Sequence, residues 1–137
     1  MSTEKFTVTI EKDSDGTYIA YNTDSTPYTL VGRGDTVSEA KADFENSIKE
    51  VAESEKARSG KIPVILKNKP SFNFDLASLF EYYSVLNVSA FARFIGINAA
   101  LMRQYKGGNT YISERQLLKI EEGIHKLGAD FTSLKLV

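Results

Sequence analysis

Two short amphipathic patterns that meet at a glycine constrain this chain most. Residues 88–107 read V-S-A-F-A-R-F-I-G-I-N-A-A-L-M-R-Q-Y-K-G. Val88, Phe91, Ala92 and Ile95 form one apolar stripe, and Leu101, Met102 and Tyr105 form a second after Gly96. Each set lies on one face of a 3.6-residue helix. Asn87 and Asn98 stand where N-caps belong, since an Asn side chain accepts a free amide hydrogen of the first turn. Between the helices there is room only for a tight turn at Gly96-Ile97, and glycine takes the left-handed backbone such a turn needs. Small Ala92, four residues earlier, lets the two helices approach closely. The pattern is that of a helix-turn-helix unit, with a plain αα-hairpin filling a core as the bland alternative.

The rest of the chain divides by periodicity. Residues 5–11 alternate, with Phe6, Val8 and Ile10 on one face, as a half-buried strand does. Asp13-Ser14-Asp15-Gly16 is a hairpin turn, and 17–22 is the returning strand. A third strand is expected at 28–31, ended by Gly32-Arg33-Gly34. Thr36 and Glu39 form a capping box. It opens a helix with Val37, Ala40, Phe44, Ile48, Val51 and Ala52 on one face, fading near Ser59-Gly60. A fourth strand is expected at 62–67, with Pro63 at its start. The polar, Pro-containing segment 68–74 reads as a linker, although Phe72 and Phe74 there are expected to dock on one domain. Asp75 caps a helix to about Tyr83. Gly107-Gly108-Asn109-Thr110 breaks the chain after the second helix of the pair. Ser113 opens a last helix with Leu117, Ile120, Ile124 and Leu127 inward, Gly128 as C-cap and 129–137 as a tail.

The expected fold class is therefore α+β: a β-β-β-α-β domain over 1–67, a linker at 68–74 and an all-α helix-turn-helix domain over 75–137. Among the 137 residues there is no cysteine, and so neither a disulfide frame nor thiolate chemistry. No apolar run approaches the ~20 residues of a membrane helix. M-S-T-E-K lacks the basic and apolar regions of a signal peptide, so a cytoplasmic protein is expected, with no membrane partner. Residues 1–67 hold nine Lys/Arg and twelve Asp/Glu, a net of −3; residues 68–137 hold eight and six, a net of +2. The half with the helix pair is the basic one.

The helix pair resembles that of phage repressors and Cro-like regulators, whose alanine and glycine fall on Ala92 and Gly96. The first half resembles the HicB antitoxin domain: Asp15, Gly16 and Tyr18 in the hairpin, then Gly34, Asp35, Thr36, Glu39 and Ala40 at the mouth of a helix. The family's usual proline-glycine segment before that helix is here S-T-P-Y-T-L-V-G-R-G. The resemblance implies a partial ribonuclease-H-like domain joined to a DNA-binding domain. It also implies an antitoxin that neutralises a small HicA-like ribonuclease toxin and represses its own operon. A stand-alone regulator, whose N-terminal domain dimerises it or senses a ligand, is the second reading.

The DNA chemistry follows from the residues. In a helix-turn-helix the second helix enters the major groove. Leu101, Met102 and Tyr105 are committed to packing, which leaves Asn98, Ala99, Ala100, Arg103, Gln104 and Lys106 outward. Arg103 can pair with guanine and Gln104 with adenine, while Ala99 and Ala100 permit close approach or touch a thymine methyl. Asn98 and the first amides of the helix can hold a phosphate. Lys106 and Arg93 suit phosphate contacts that add affinity without reading sequence. A palindromic operator in the chain's own promoter, with half-sites about one turn apart, calls for a dimer or a dimer of dimers.

Catalysis is not expected. Asp13, Asp15, Asp24, Asp35 and Glu39 include turn and capping residues with local structural jobs, whereas two-metal cleavage needs carboxylates converging on ions roughly 3.5–4 Å apart. His125 is the only histidine and, without cysteine, joins no His/Cys zinc site. Neither G-R-G-D nor K-G-G-N has the context of a phosphate loop. No cofactor or metal is expected.

Overall fold

Alternating apolar residues set the first strand, and the sheet grows from it. The computed structural model describes residues 6–23, 27–108 and 110–137; Asp24, Asn109 and the opening M-S-T-E-K lie outside them. The described chain is mixed α/β, with a four-stranded mixed sheet and six helices. Its contacts divide it into two units, one ending at Tyr83 and the other beginning at Ser84.

In the first unit, β1 (Thr7–Lys12) buries Val8 and Ile10 completely and leaves Thr7 and Thr9 half-buried. The turn is held by Asp15, whose Oδ1 accepts from the Thr17 amide at 2.9 Å and its hydroxyl at 2.6 Å, while Gly16 takes φ +87°. β2 (Tyr18–Asn22) returns antiparallel, with Ala20 opposite Ile10. β3 (Val31–Gly34) pairs antiparallel with β2.

That third strand lies later than the expected 28–31, and Gly32 and Gly34 are inside it rather than ending it. The reason is the helix that follows, α1 (Val37–Ser59). A Cβ on Gly32 would overlap Phe44 N and Ala40 O and lie 2.7 Å from Phe44 Cα, so only glycine lets the helix backbone cross here. Helix side chains then occupy the outer edge of β3. Asp43 Oδ2 accepts from the Arg33 amide at 2.9 Å, and Ser47 Oγ donates to Val31 O at 2.9 Å.

The capping box at the start of α1 forms with one shift. Thr36 Oγ1 accepts from the Glu39 amide at 3.1 Å, whereas the Glu39 carboxylate accepts from Asp35 N rather than Thr36 N, at 2.8 Å. Val37, Ala40 and Phe44 are fully buried on the sheet, and Gly60 ends the helix at φ +78°.

The expected strand at 62–67 is not a strand. Its core is a single helical turn, α2 (Val64–Lys67), in which the adjacent Ile65 and Leu66 are both buried. A strand covered on one face buries only one of two neighbours, whereas neighbours on a helical turn sit about 100° apart and can both face one core. The fourth strand, β4 (Ser71–Phe74), lies in the expected linker 68–74 and runs parallel to β1 at the sheet edge, giving the order β3-β2-β1-β4. Phe72 and Phe74 face the core of this unit. Lys41 Nζ sits 4.4 Å above the Phe72 ring and 4.6 Å above that of Tyr82.

The helix α3 (Leu76–Tyr82) begins at its expected cap, Asp75, but belongs to this first unit rather than to a domain over 75–137. The Asp75 amide donates to Ile10 O, Asp75 Oδ2 accepts from Lys12 N, and Glu81 Oε2 accepts from Val37 N at 3.0 Å. Asp75 thus ties the helix start to β1.

The second unit comprises α4 (Val88–Ile95), α5 (Ala99–Gly107) and α6 (Glu114–Ser133). Phe91, Ala92, Ile97, Met102, Tyr105 and Ile120 are its buried apolar residues. Gly128 is not the C-cap of the last helix. With φ outside the left-handed region it continues the helix to Ser133, and Leu134 is the cap, so the expected tail 129–137 is helical over its first half.

Candidate nucleic-acid interface

Each turn of the α4–α5 corner is held by a named group. Asn87 Oδ1 accepts from the Ala90 amide at 2.9 Å and starts α4. Gly96 adopts φ +79°, and the Ile97 amide donates to Ala92 O at 2.9 Å. Asn98 Oδ1 then accepts from the Leu101 amide at 3.1 Å and starts α5. Ala92 is fully buried where the helices meet, and Ile97, Met102 and Tyr105 complete the packing. Gly123 of α6 lies against Ile95, bringing α6 close behind α4.

This packing leaves a defined outer face. Arg93, Asn98, Ala100, Arg103, Gln104 and Lys106 are exposed, and Ala99 is half-buried. The helix thus presents two methyls at its N-terminal end, then Arg103, Gln104 and Lys106 along its outer side. The carboxamide oxygen of Asn98 is used by the cap, so Asn98 has only its Nδ2 hydrogens to offer a phosphate, beside the first-turn amides of α5.

Two residues join the surface that sequence reasoning missed. Ser89 Oγ accepts from Arg103 Nη1 at 2.8 Å, which holds the guanidinium at the mouth of α4. Lys119 Nζ donates to Gly96 O at 3.1 Å, placing a cation on the turn between the helices. Lys119 lies 23 residues from Gly96 and Ser89 14 residues from Arg103, and no local spacing signals either pairing.

Charge follows the observed division more sharply than the expected one. Residues 84–137 carry seven Lys/Arg against four Asp/Glu, a net of +3; residues 1–83 carry ten against fourteen, a net of −4. The exposed Arg103 and Lys106 of α5 thus lie on the unit of net positive charge.

The carboxylates weighed for metal chemistry have local partners. Asp13 accepts from the Ser14 amide at 2.7 Å and pairs with Arg33 at 3.3 Å. The Thr17 hydroxyl and amide hold the Asp15 carboxyl below its ordinary range. Glu39 is bound to Asp35 N. Among the described residues no three His, Asp or Glu side chains cluster as metal ligands do. No helix among them is long and apolar enough to cross a membrane.

No family model, curated protein or solved structure matches this chain.

Proposed function

We propose that this chain is a DNA-binding antitoxin that represses its own operon. The observation that carries the DNA-binding half is the corner of α4, Gly96 and α5, with Arg103, Gln104 and Lys106 aligned outward on a positive unit. In this reading α5 lies in the major groove, Arg103 and Gln104 read base edges, and Lys106, Arg93 and Lys119 hold phosphates. Ala99 and Ala100 allow the close approach. The second unit is then a phage-repressor-like domain, and two or four copies read a palindromic operator.

The antitoxin half rests on the resemblance of the first unit to the HicB domain. In this reading that unit is a partial ribonuclease-H-like fold used for binding rather than catalysis, and it works in the cytoplasm without a cofactor. Its net charge of −4 suits a small basic partner such as a HicA-like ribonuclease toxin.

The test is co-expression with the product of the adjacent reading frame, which in this reading is a short basic protein. A stoichiometric complex that relieves the partner's toxicity is expected. Arg103→Ala is expected to weaken operator binding by roughly 1–3 kcal/mol and to relax specificity at one base pair, measured by competition titration. Absence of a complex with operator binding intact would leave a stand-alone regulator; loss of neither affinity nor specificity in Arg103→Ala would remove α5 as the reader.

A further inference from the structure

The last helix carries more apolar surface than its own unit covers. Leu117, Ile120, Ile124, Leu127, Phe131 and Leu134 recur at alternating spacings of three and four, the stripe of a coiled-coil seam. The middle of the stripe is used within the unit: Ile120 is 1% exposed, and Gly123 beside it lies against Ile95, whereas Leu117, expected inward, is 44% exposed. The later part is not so buried, with Phe131 at 61% and Leu134 at 62% exposed. Alongside, Val85, Leu86, Ala90, Phe91, Phe94 and Leu127 line an open apolar groove of ≈ 250 Å³.

We propose that a second copy of this chain covers this surface, with α6 packed antiparallel on α6 and Phe131 of each copy seated in the groove beside Leu127 of the other. Two arguments select that occupant. The first is continuity, because the free part of the stripe prolongs the seam that already joins α6 to α4. A two-fold axis at residue 129 sets Leu127 opposite Phe131 and Ile124 opposite Leu134, so one surface serves both copies.

The second argument is area. At their observed exposures Val85, Phe94, Phe131, Leu134 and Leu136 leave roughly 600 Å² uncovered, which with flanking polar groups reaches the ~800 Å² each partner gives a standard interface. The inference stands apart from the DNA reading, since it needs no operator.

Sedimentation equilibrium of the full chain without DNA tests it. The unsubstituted chain is expected to be dimeric. Phe131→Glu places a charge in the seam and is expected to raise the dimer dissociation constant at least about tenfold, while Leu118→Glu, exposed and off the stripe, leaves it unchanged. The chain has no cysteine, so Gly128→Cys provides a single thiol on the flank of the seam beside the axis, and a short bismaleimide is expected to join two copies through it. A monomer at about 100 µM, a dissociation constant unmoved by Phe131→Glu, or failure of the Gly128→Cys chain to cross-link would overturn the proposal.

Discussion

Two glycines five residues apart in α6 should respond to the same substitution with opposite signs. Replacing an interior helical glycine with alanine removes backbone freedom from the unfolded chain and gains about 1 kcal/mol. At Gly128 no atom of the described residues lies within 4 Å of the added methyl, so Gly128→Ala should stabilise by up to that amount. At Gly123 the new Cβ overlaps Ile95 Cγ2 and sits 3.2 Å from Ile95 Cβ. Ile95 is β-branched at the end of α4, and its χ1 has one strongly preferred well, so the methyl has no low-energy escape. Either the rotamer is forced or α4 and α6 separate, at about 1–3 kcal/mol, which exceeds the helical gain. Gly123→Ala should therefore destabilise the second unit by up to about 2 kcal/mol. In an Ile95→Ala background the clash is absent and the same substitution should stabilise, a coupling of about 2 kcal/mol. Native-state hydrogen exchange at the buried Met102 and Ile120 reads this unit alone, and about 1.4 kcal/mol corresponds to a tenfold change in protection. Gly123→Ala raising protection as Gly128→Ala does, or a coupling near zero, would refute the packing argument.

Other outcomes follow from the same contacts. Gly32→Ala should cost about 3 kcal/mol or more, because both overlapping atoms belong to the α1 backbone; a melting temperature unchanged by circular dichroism would count against it. Ser78 Oγ is fully buried and has no hydrogen-bond partner among the described residues, so Ser78→Ala should be neutral or raise the melting temperature, and a clear loss would reveal a partner. Tyr21 is held above the ordinary 10.0 chiefly by its hydrogen bond to Glu11 at 2.7 Å, and Tyr18 above it by burial. Both favour the neutral phenol in the fold. Their contribution is complete below the unfolded value near 10 and is lost as pH rises through the raised folded values. Tyrosinate absorbance should therefore rise late in the native chain, and Glu11→Gln should bring one tyrosine back toward its ordinary value. Lys106→Ala should weaken all DNA alike and reduce the salt slope by about 1, with base preference unchanged in a competition assay.

Much of the local structure was legible because it is carried by neighbours in the chain. The caps at Thr36, Asp75, Asn87, Asn98 and Ser113 each accept the expected amide three residues on, and the stripes of α4 and α5 bury the expected Ala92, Met102 and Tyr105. The misreadings arose where a distant element decided. Gly32 looked like the end of a strand because nothing local shows α1 passing over it. Residues 62–67 looked like a strand because short apolar runs carry no reliable period. Segment 68–74 looked like a linker because its strand exists only by pairing with β1, more than sixty residues earlier in register at Thr7↔Ser71. Gly128 looked like a stop because its helical backbone conformation is not written in its identity.

By itself the sequence determined the turns, caps and amphipathic faces, since those rest on interactions within about four residues. It determined the helix pair around Gly96 and the outward set Arg103, Gln104 and Lys106 for the same reason. Tertiary structure alone decided that β4 closes the sheet edge, that α3 joins the first unit, that Ser89 holds Arg103 and that Lys119 reaches the turn at Gly96. It also left the second half of the α6 stripe exposed. These depend on which surfaces meet across long stretches of chain, and burial and close approach are properties of the meeting rather than of either segment.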